Sequence, residues 1–103
     1  MQTAFDEAWR HVRRIAPGQL IPKWSWLGRA TGSFVVASTD AESVIVKSEG
    51  IDGERRVSRT DFANVFEVWE GYRSGVVPRQ RINDITRNST YVLAILHWAE
   101  NSN

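Results

Sequence analysis

The polar stretch TRNST, residues 86–90, holds the side chains best placed to contact a ligand. It lies between two segments with an apolar pattern, inside the longer segment Arg81 to Trp98. A helix that begins there would present free N–H groups, hydroxyls and the Arg87 guanidinium, and these groups together can hold a phosphate or a carboxylate. Asn88 or Ser89 can instead simply cap the helix, which would stabilise it by about 1 kcal/mol. Capping is the commoner use of such residues, and the sequence alone leaves both open.

The spacing around this stretch also matches a helix-turn-helix. Such a unit has a first helix, a turn of about three or four residues, and a second helix whose N-terminal side chains reach base edges. Residues 79–85, 86–88 and 89–98 fit that order. Arginines would contact phosphates and polar side chains would contact bases. The candidate nucleic-acid-binding residues are Arg59, Arg79, Arg81, Arg87, Asn88, Ser89, Thr90 and Tyr91.

The second helix of this unit argues against DNA reading. Tyr91, Leu93, Ala94 and Trp98 extend its apolar surface almost all round. Beyond its cap, the helix offers no Arg, Gln or Asn to the major groove. A helix that is apolar on all sides is usually buried, either in a core or at a subunit interface. A homodimer with this helix at its interface is therefore a second hypothesis.

Two tryptophans, Trp24 and Trp26, mark a different candidate site. They flank Ser25 in a segment bounded by Pro22 and Gly28. In that position they can line a small-ligand pocket, stack on bases or cover the end of a sheet. Covering the core is the default role of apolar residues in a loop, and a ligand pocket is the alternative.

Catalysis has little support in the sequence. Neither His11 nor His97 has the neighbouring Ser, Asp or Glu pattern of a catalytic triad. The sequence contains no phosphate-loop, zinc-binding or calcium-loop motif, and it contains no Cys to act as a nucleophile or a zinc ligand. We therefore expect a non-enzymatic protein that uses no cofactor and no metal.

The composition is typical of one globular domain. The chain has 103 residues, of which 42% are hydrophobic and 24% charged, enough for a single core. It has no apolar run of about 18 residues, and the acids near its N-terminus do not fit a signal peptide, so we expect a cytoplasmic protein with no membrane segment.

The net charge of +1 is unevenly distributed along the chain. Residues 1–30 carry five bases and two acids, residues 31–54 one base and five acids, and residues 55–103 seven bases and five acids. A nucleic-acid binder usually has a larger basic excess. Because the net charge is small, any electrostatic attraction for nucleic acid must therefore come from basic residues that lie close together on the surface.

Apolar spacing predicts the elements that position these residues. Residues 1–17 favour a helix with Trp9 and Val12 on its apolar side and Arg10, Arg13 and Arg14 on the other. Residues 33–58 contain β-branched runs separated by turns, which favours an antiparallel meander of about three strands. Residues 60–101 form the helical half. The sequence thus predicts an α+β fold, in which a small antiparallel β-meander packs against N-terminal and C-terminal helices in a single domain.

Residues 54–96 also resemble part of a group of known proteins. Their order is a basic strand, the motif SR.DF, a helix with V...W..Y..G, and RNSTY leading into an apolar helix. This order resembles a segment of uncharacterised bacterial proteins, some of which lie near restriction-type or mobile DNA modules. The length of the chain is similar to that of proteins carried on mobile gene cassettes. The resemblance implies a DNA-associated setting without any reaction, and it points to Ser58, Arg59 and the RNSTY residues 87–91.

Overall fold

One helix, a run of four strands and a run of four helices follow one another in the computed structural model, which describes residues 3–24, 32–48 and 53–101. The elements are α1 (Ala4–Arg13), β1 (Gln19–Pro22), β2 (Ser33–Thr39), β3 (Ser43–Ser48), β4 (Arg55–Ser58), α2 (Arg59–Phe66), α3 (Trp69–Arg73), α4 (Arg79–Ile85) and α5 (Ser89–Asn101). The predicted α+β fold is confirmed.

The strands form one antiparallel sheet in the order β1-β2-β3-β4. The sequence predicted about three of these strands and missed β1. That strand is only four residues long, and a single alternation, exposed Leu20 beside buried Ile21, is too short to reveal a period of two. It ends at Pro22, which is acceptable because β1 lies at the edge of the sheet formed by the described strands.

The first helix begins with a capping box. The Thr3 hydroxyl accepts a hydrogen bond from the Asp6 amide at 3.0 Å, and the Thr3 amide donates to the Asp6 carboxylate at 3.3 Å. Asp therefore serves at the position where Glu or Gln is more common. The helix buries Trp9 and Val12 and leaves its arginines exposed, as the sequence predicted.

The segment with the V...W..Y..G pattern, expected to be one helix, is divided between two helices. Helix α2 ends at Phe66 and α3 begins at Trp69, with Val68 between them in a non-helical conformation. Phe62, Val65, Trp69 and Tyr72 are nevertheless all buried. Because the break preserves the helical spacing of the buried residues, the sequence pattern gave no sign of it.

Gly71 in α3 allows the chain to fold back closely after that helix. The amides of Val76 and Val77 both donate to the Gly71 carbonyl at 2.9 Å. A Cβ atom at Gly71 would lie 2.6 Å from a methyl group of Val77, too close for the packing to persist. The glycine therefore sets how α3 leads into α4.

Helix α5 lies inside the protein. All of residues 91–96 are buried, and α5 contacts α1, α2, α4 and β1. The ring of Tyr91 packs edge-on against Phe34 of β2, with 5.0 Å between the ring centroids. Leu93 and Ala94 are covered by their own chain, whereas Trp98 is only partly buried, so a subunit interface on α5 stays a prediction that its buried residues do not support.

Among the described helices, none is both long and apolar enough to cross a membrane. The longest of them, α5, has 13 residues.

Leu93 tests the position of α5. Leu93→Glu should unfold the protein, because Leu93 is 0% exposed and an unpaired carboxylate would be buried in its place. Leu93→Ala should lower the free energy of unfolding by about 2–5 kcal/mol, measured by urea denaturation. Val76→Glu is the matched control, since Val76 is 80% exposed and its substitution should change stability by no more than about 0.5 kcal/mol. A cooperatively folded Leu93→Glu monomer would instead identify α5 as an interface helix.

Candidate nucleic-acid interface

Helices α4 and α5 and the turn between them follow the predicted helix-turn-helix order. The polar side chains of this corner, however, bond to one another. The Ser89 hydroxyl donates to the Asn83 side-chain oxygen at 2.7 Å. The Arg79 guanidinium donates to Asn83 at 3.2 Å and to the Thr90 hydroxyl at 3.1 Å. Arg79 therefore links the two helices.

Asn88 connects the corner to the rest of the fold. Its side-chain oxygen accepts from Arg55 at 3.4 Å, and its side-chain nitrogen donates to Asp61 at 3.4 Å. The Asn88 backbone amide donates to the Thr86 hydroxyl at 3.0 Å, and its carbonyl accepts the first hydrogen bond of α5, from Val92. Asn88 thus ties the start of α5 to β4 and α2.

The corner does not present the surface that a recognition helix requires. Ser89 and Tyr91 are only 7% and 8% exposed, and Thr90 is half-buried. The guanidinium of Arg55 lies 5.9 Å from the centre of the Tyr91 ring. The burial of Ser89 and Tyr91 therefore gives no support to their predicted contact with a DNA groove, which stays a prediction. Of the candidate arginines in this half of the chain, Arg81 and Arg87 remain exposed.

A different set of arginines converges on a groove beside α1. We call this concavity, of about 370 Å³, the arginine groove; it is lined by Asp6, Trp9, Arg10, Arg13, Arg14 and Arg59. Two local features form it. The spacing of i, i+3 and i+4 places Arg10, Arg13 and the C-cap residue Arg14, together called the α1 arginines, on one face of the helix. Ser58 caps α2 by accepting from the Asp61 amide at 3.1 Å, and Arg59 follows as the first residue of that helix.

Arg59 closes the groove from the side of α2. Its guanidinium pairs with the Asp6 carboxylate at 3.0 Å and lies 5.3 Å from the centre of the Phe5 ring. The Arg59 amide also donates to the Glu42 carbonyl at 2.8 Å, which fixes the backbone against the β2–β3 turn. Arg59 is therefore held in place at both its backbone and its side chain.

The charge of the arginine groove is poorly balanced by its own acids. It has four arginines and the single carboxylate of Asp6. The hydrogen bonds with the Thr3 amide and hydroxyl lower the pKa of Asp6 below its usual value, and the charges of Arg59 and Arg10 lower it further. Asp6 is thus ionised but already bonded to Thr3 and Arg59. Within residues 3–24, 32–48 and 53–101, no carboxylate lies within 4.0 Å of Arg10, Arg13 or Arg14.

The acidic turn between β2 and β3 lies close to α1 without pairing with these arginines. The Thr39 hydroxyl donates to the Arg13 carbonyl at 3.2 Å. The Asp40 carboxylate accepts from the Glu42 amide at 2.8 Å and from the Ser43 hydroxyl at 3.0 Å. These hydrogen bonds, together with the charge of Arg56, lower the pKa of Asp40. The Asp40 carboxylate therefore bonds to groups of its own turn.

A purely structural role accounts for only part of this arrangement. Arg10 and Arg13 lie in the last turn of α1, where a cation interacts favourably with the helix dipole, by about 0.3–1 kcal/mol. That effect does not require a fourth arginine from another helix to face the same groove. The interaction with the helix dipole therefore accounts for Arg10 and Arg13, but it does not account for Arg59 lying beside them.

Only Arg59 of the predicted nucleic-acid-binding residues lines this groove. Arg79, Arg81 and Arg87 do not. The sequence analysis placed Arg10, Arg13 and Arg14 on the polar face of the first helix but assigned them no site. Their spacing was the available signal; what the sequence could not show is that α2 brings Arg59 beside them.

The predicted ligand pocket at Trp24 is filled by side chains of the same chain. The Trp24 ring stacks on His97, with centroids 4.2 Å apart and an angle of 9° between the planes. Its other ring contacts are edge-on, with Trp69 at 5.7 Å and Tyr72 at 6.0 Å. Trp24 therefore covers the core, while Trp26 lies outside the described residues.

The comparisons with known proteins give no further guide to this site. No protein-family model, curated protein or solved structure matches the chain. The resemblance of residues 54–96 to bacterial proteins near DNA modules thus stays a prediction, and function has to be argued from the geometry.

The stacked His97 makes a testable contribution to stability. Burial lowers its pKa below the ordinary value of 6.5, although the charge of Glu100 opposes part of this effect. Between 6.5 and the lower folded pKa, the unfolded chain binds more protons than the folded one. The contribution of His97 should therefore be complete above pH 6.5 and decline as the pH falls through that window.

Titration of the His97 ring by NMR, in the folded chain and in urea, measures this difference directly. The folded chain should give the lower pKa. His97→Phe keeps a ring against Trp24 and should remove this part of the pH dependence of the urea midpoint. A folded pKa equal to or above that of the unfolded chain would contradict the account.

Proposed function

We propose that this protein is a non-enzymatic module that binds nucleic acid through its phosphates, using the arginine groove. The observation that carries the proposal is the convergence of Arg10, Arg13, Arg14 and Arg59 on one concavity with a single carboxylate. Arginine presents a planar fork of donors that matches a phosphate, and such charge-assisted hydrogen bonds are stronger than neutral ones. A DNA-associated setting in a bacterium, as the resemblance of residues 54–96 implies, agrees with this function.

The spacing of the arginines along the groove suits a polyanion. Arg10 and Arg14 are four residues apart on α1, which separates them by about 6 Å along the helix axis. The phosphates of one strand of duplex DNA recur about every 3.4 Å along the duplex axis and wind around it, so two guanidinium groups at this spacing can reach neighbouring phosphates. Arg13 and Arg59 add donors between and beside these positions. The groove therefore supports contact with successive phosphates of one strand.

The same geometry favours binding without sequence discrimination. Trp9, the aromatic residue of the groove, is 5% exposed, and its indole N–H donates to the Ala41 carbonyl at 3.3 Å. It is therefore not free to stack on a base, as aromatic residues do in many single-strand binders. Phosphate contacts position a protein on nucleic acid, whereas base contacts provide specificity. Affinity should come mainly from charge and depend strongly on salt.

The alternative of a homo-oligomer assembled through α5 has no observation in its favour. Of the apolar residues that suggested it, Tyr91, Leu93 and Ala94 are buried within one chain, and Trp98 is partly buried against the same core. Leu20 and Val76 are exposed, but single apolar residues on a surface are common and do not mark an interface.

Two paired variants distinguish the arginine groove from the helix corner. Arg13→Gln/Arg14→Gln removes two charges from the groove, and Arg81→Gln/Arg87→Gln removes two charges from the exposed part of the corner. Fluorescence anisotropy with a labelled duplex, in salt from about 50 to 200 mM, gives the slope of log K against log salt. The groove variant should weaken binding and reduce the slope by about 2, because each lost phosphate contact removes about 0.9. The corner variant should keep the wild-type slope.

Circular dichroism establishes that both variants are folded before binding is compared. Loss of binding in the corner variant alone would move the interface to the residues predicted from the sequence. No binding by the wild-type protein at tens of micromolar and about 50 mM salt would refute nucleic-acid binding altogether, since electrostatic binding is strong under those conditions.

A further inference from the structure

A second concavity lies between α1, α3 and α5. We call it the helix cleft; its volume is about 320 Å³, close to the lower limit of about 300 Å³ for small-ligand pockets. Its apolar residues are Ala4, Ala8, Phe66, Trp69, Leu96 and Ala99. The polar residues that complete it are Glu7, His11, Glu70, Arg73 and Glu100. The helix cleft shares no residue with the arginine groove.

Small side chains keep the cleft open. Ala4 and Ala8 are one helical turn apart on α1, and Ala99 of α5 also lines the cleft. Phe66 and Trp69 provide an aromatic wall, held by contacts of Phe66 with Phe5 and of Trp69 with Tyr72. An apolar group in the cleft would therefore gain contact area without displacing a side chain of the core.

The charged residues of the cleft are predominantly acidic. Three carboxylates, those of Glu7, Glu70 and Glu100, accompany one guanidinium, that of Arg73. Arg73 is already engaged: it donates to both Glu70 and Glu100 and lies 5.7 Å from the centre of the Trp69 ring. The Trp69 indole N–H also donates to Glu100 at 3.2 Å. An anionic ligand would therefore find no uncommitted arginine in this cleft.

Glu7 differs from the other two carboxylates. It is exposed on α1 beside Ala4 and Ala8, and no cation of the described residues forms an ion pair with it. An ammonium group at the mouth of the cleft could pair with Glu7 while its apolar part contacts Ala4, Ala8 and Phe66, the apolar lining residues that are not buried. The cleft thus combines an apolar surface with one free negative charge.

We propose that the helix cleft binds a small organic cation, an amine with a compact apolar body. The charge of the cleft selects the cation, and its volume suits a small molecule. This inference does not depend on nucleic-acid binding, because it rests on different residues and on the opposite charge.

Titration with 2-phenylethylammonium, followed by NMR, tests the proposal. The cation should shift the Trp69 indole N–H signal and the amides of Ala8 and Ala99 in a saturable way, with a dissociation constant of about 1 mM or lower. The neutral 2-phenylethanol should bind about two- to fivefold more weakly, because it lacks the exposed ion pair with Glu7. The anionic 3-phenylpropanoate should bind weakest of the three.

Matched substitutions assign the binding to the cleft. Glu7→Gln should weaken the cation about two- to fivefold and leave the alcohol unchanged. Glu67→Gln is the control, since Glu67 is exposed at the end of α2 and does not line the cleft. Ala8→Leu should fill the cleft and abolish binding of both compounds.

Three results would overturn the proposal: no saturable shift with the cation up to about 10 mM, equal binding of the anion, or equal effects of the two Glu→Gln variants. Glu7 is a surface residue, so its variant remains informative even if Ala8→Leu fails to fold. Duplex DNA binding, measured on the same protein, reports on the arginine groove alone. A negative result for the cation in the helix cleft can therefore be told apart from a negative result for DNA in the arginine groove.

Discussion

The rest of the structure depends on the burial of helix α5. Because residues 91–96 are apolar on every side, the fold must cover them completely, and α1, α2, α4 and β1 all contact the helix. An interior helix of this kind cannot also lie in a DNA groove. Because α5 is central, any binding surface must lie on the elements that surround it. Helix α1 is one of these elements, and its arginines are exposed.

The polar corner before α5 is a consequence of the same constraint. The first turn of a buried helix has backbone amides and polar side chains that need hydrogen-bond partners. Ser89, Thr90 and Asn88 obtain theirs from Asn83, Arg79, Arg55 and Asp61. Among the described residues, no buried side-chain nitrogen or oxygen lacks a partner. Structural requirements therefore explain Thr86, Asn88, Ser89 and Thr90 without a ligand, whereas Arg87 is exposed.

Much of the fold was predictable because it is local. The capping residues Thr3 and Ser58, the β-branched runs of β2 and β3, and the two helices on either side of residues 86–88 all follow from short-range patterns. The strand β1 and the break between α2 and α3 were not predictable, since one is too short for a pattern and the other preserves the helical period. The arginine groove needed tertiary structure, because Arg59 and the α1 arginines lie in different halves of the sequence.

Helix α1 separates two surfaces of opposite character. Arg10, Arg13 and Arg14 line the arginine groove, whereas Glu7 and Ala8 line the helix cleft. A net charge of only +1 is therefore compatible with local attraction for a polyanion, since Glu7 lies on a different side of the helix from Arg10, Arg13 and Arg14.

The most direct test of the account is to observe the arginine side chains while a short duplex is added. The NMR signals of the arginine Nε–H groups report contact with phosphate residue by residue. We predict that Arg10, Arg13, Arg14 and Arg59 shift first and most. Shifts confined to Arg81 and Arg87 would contradict the account and return the interface to the corner before α5.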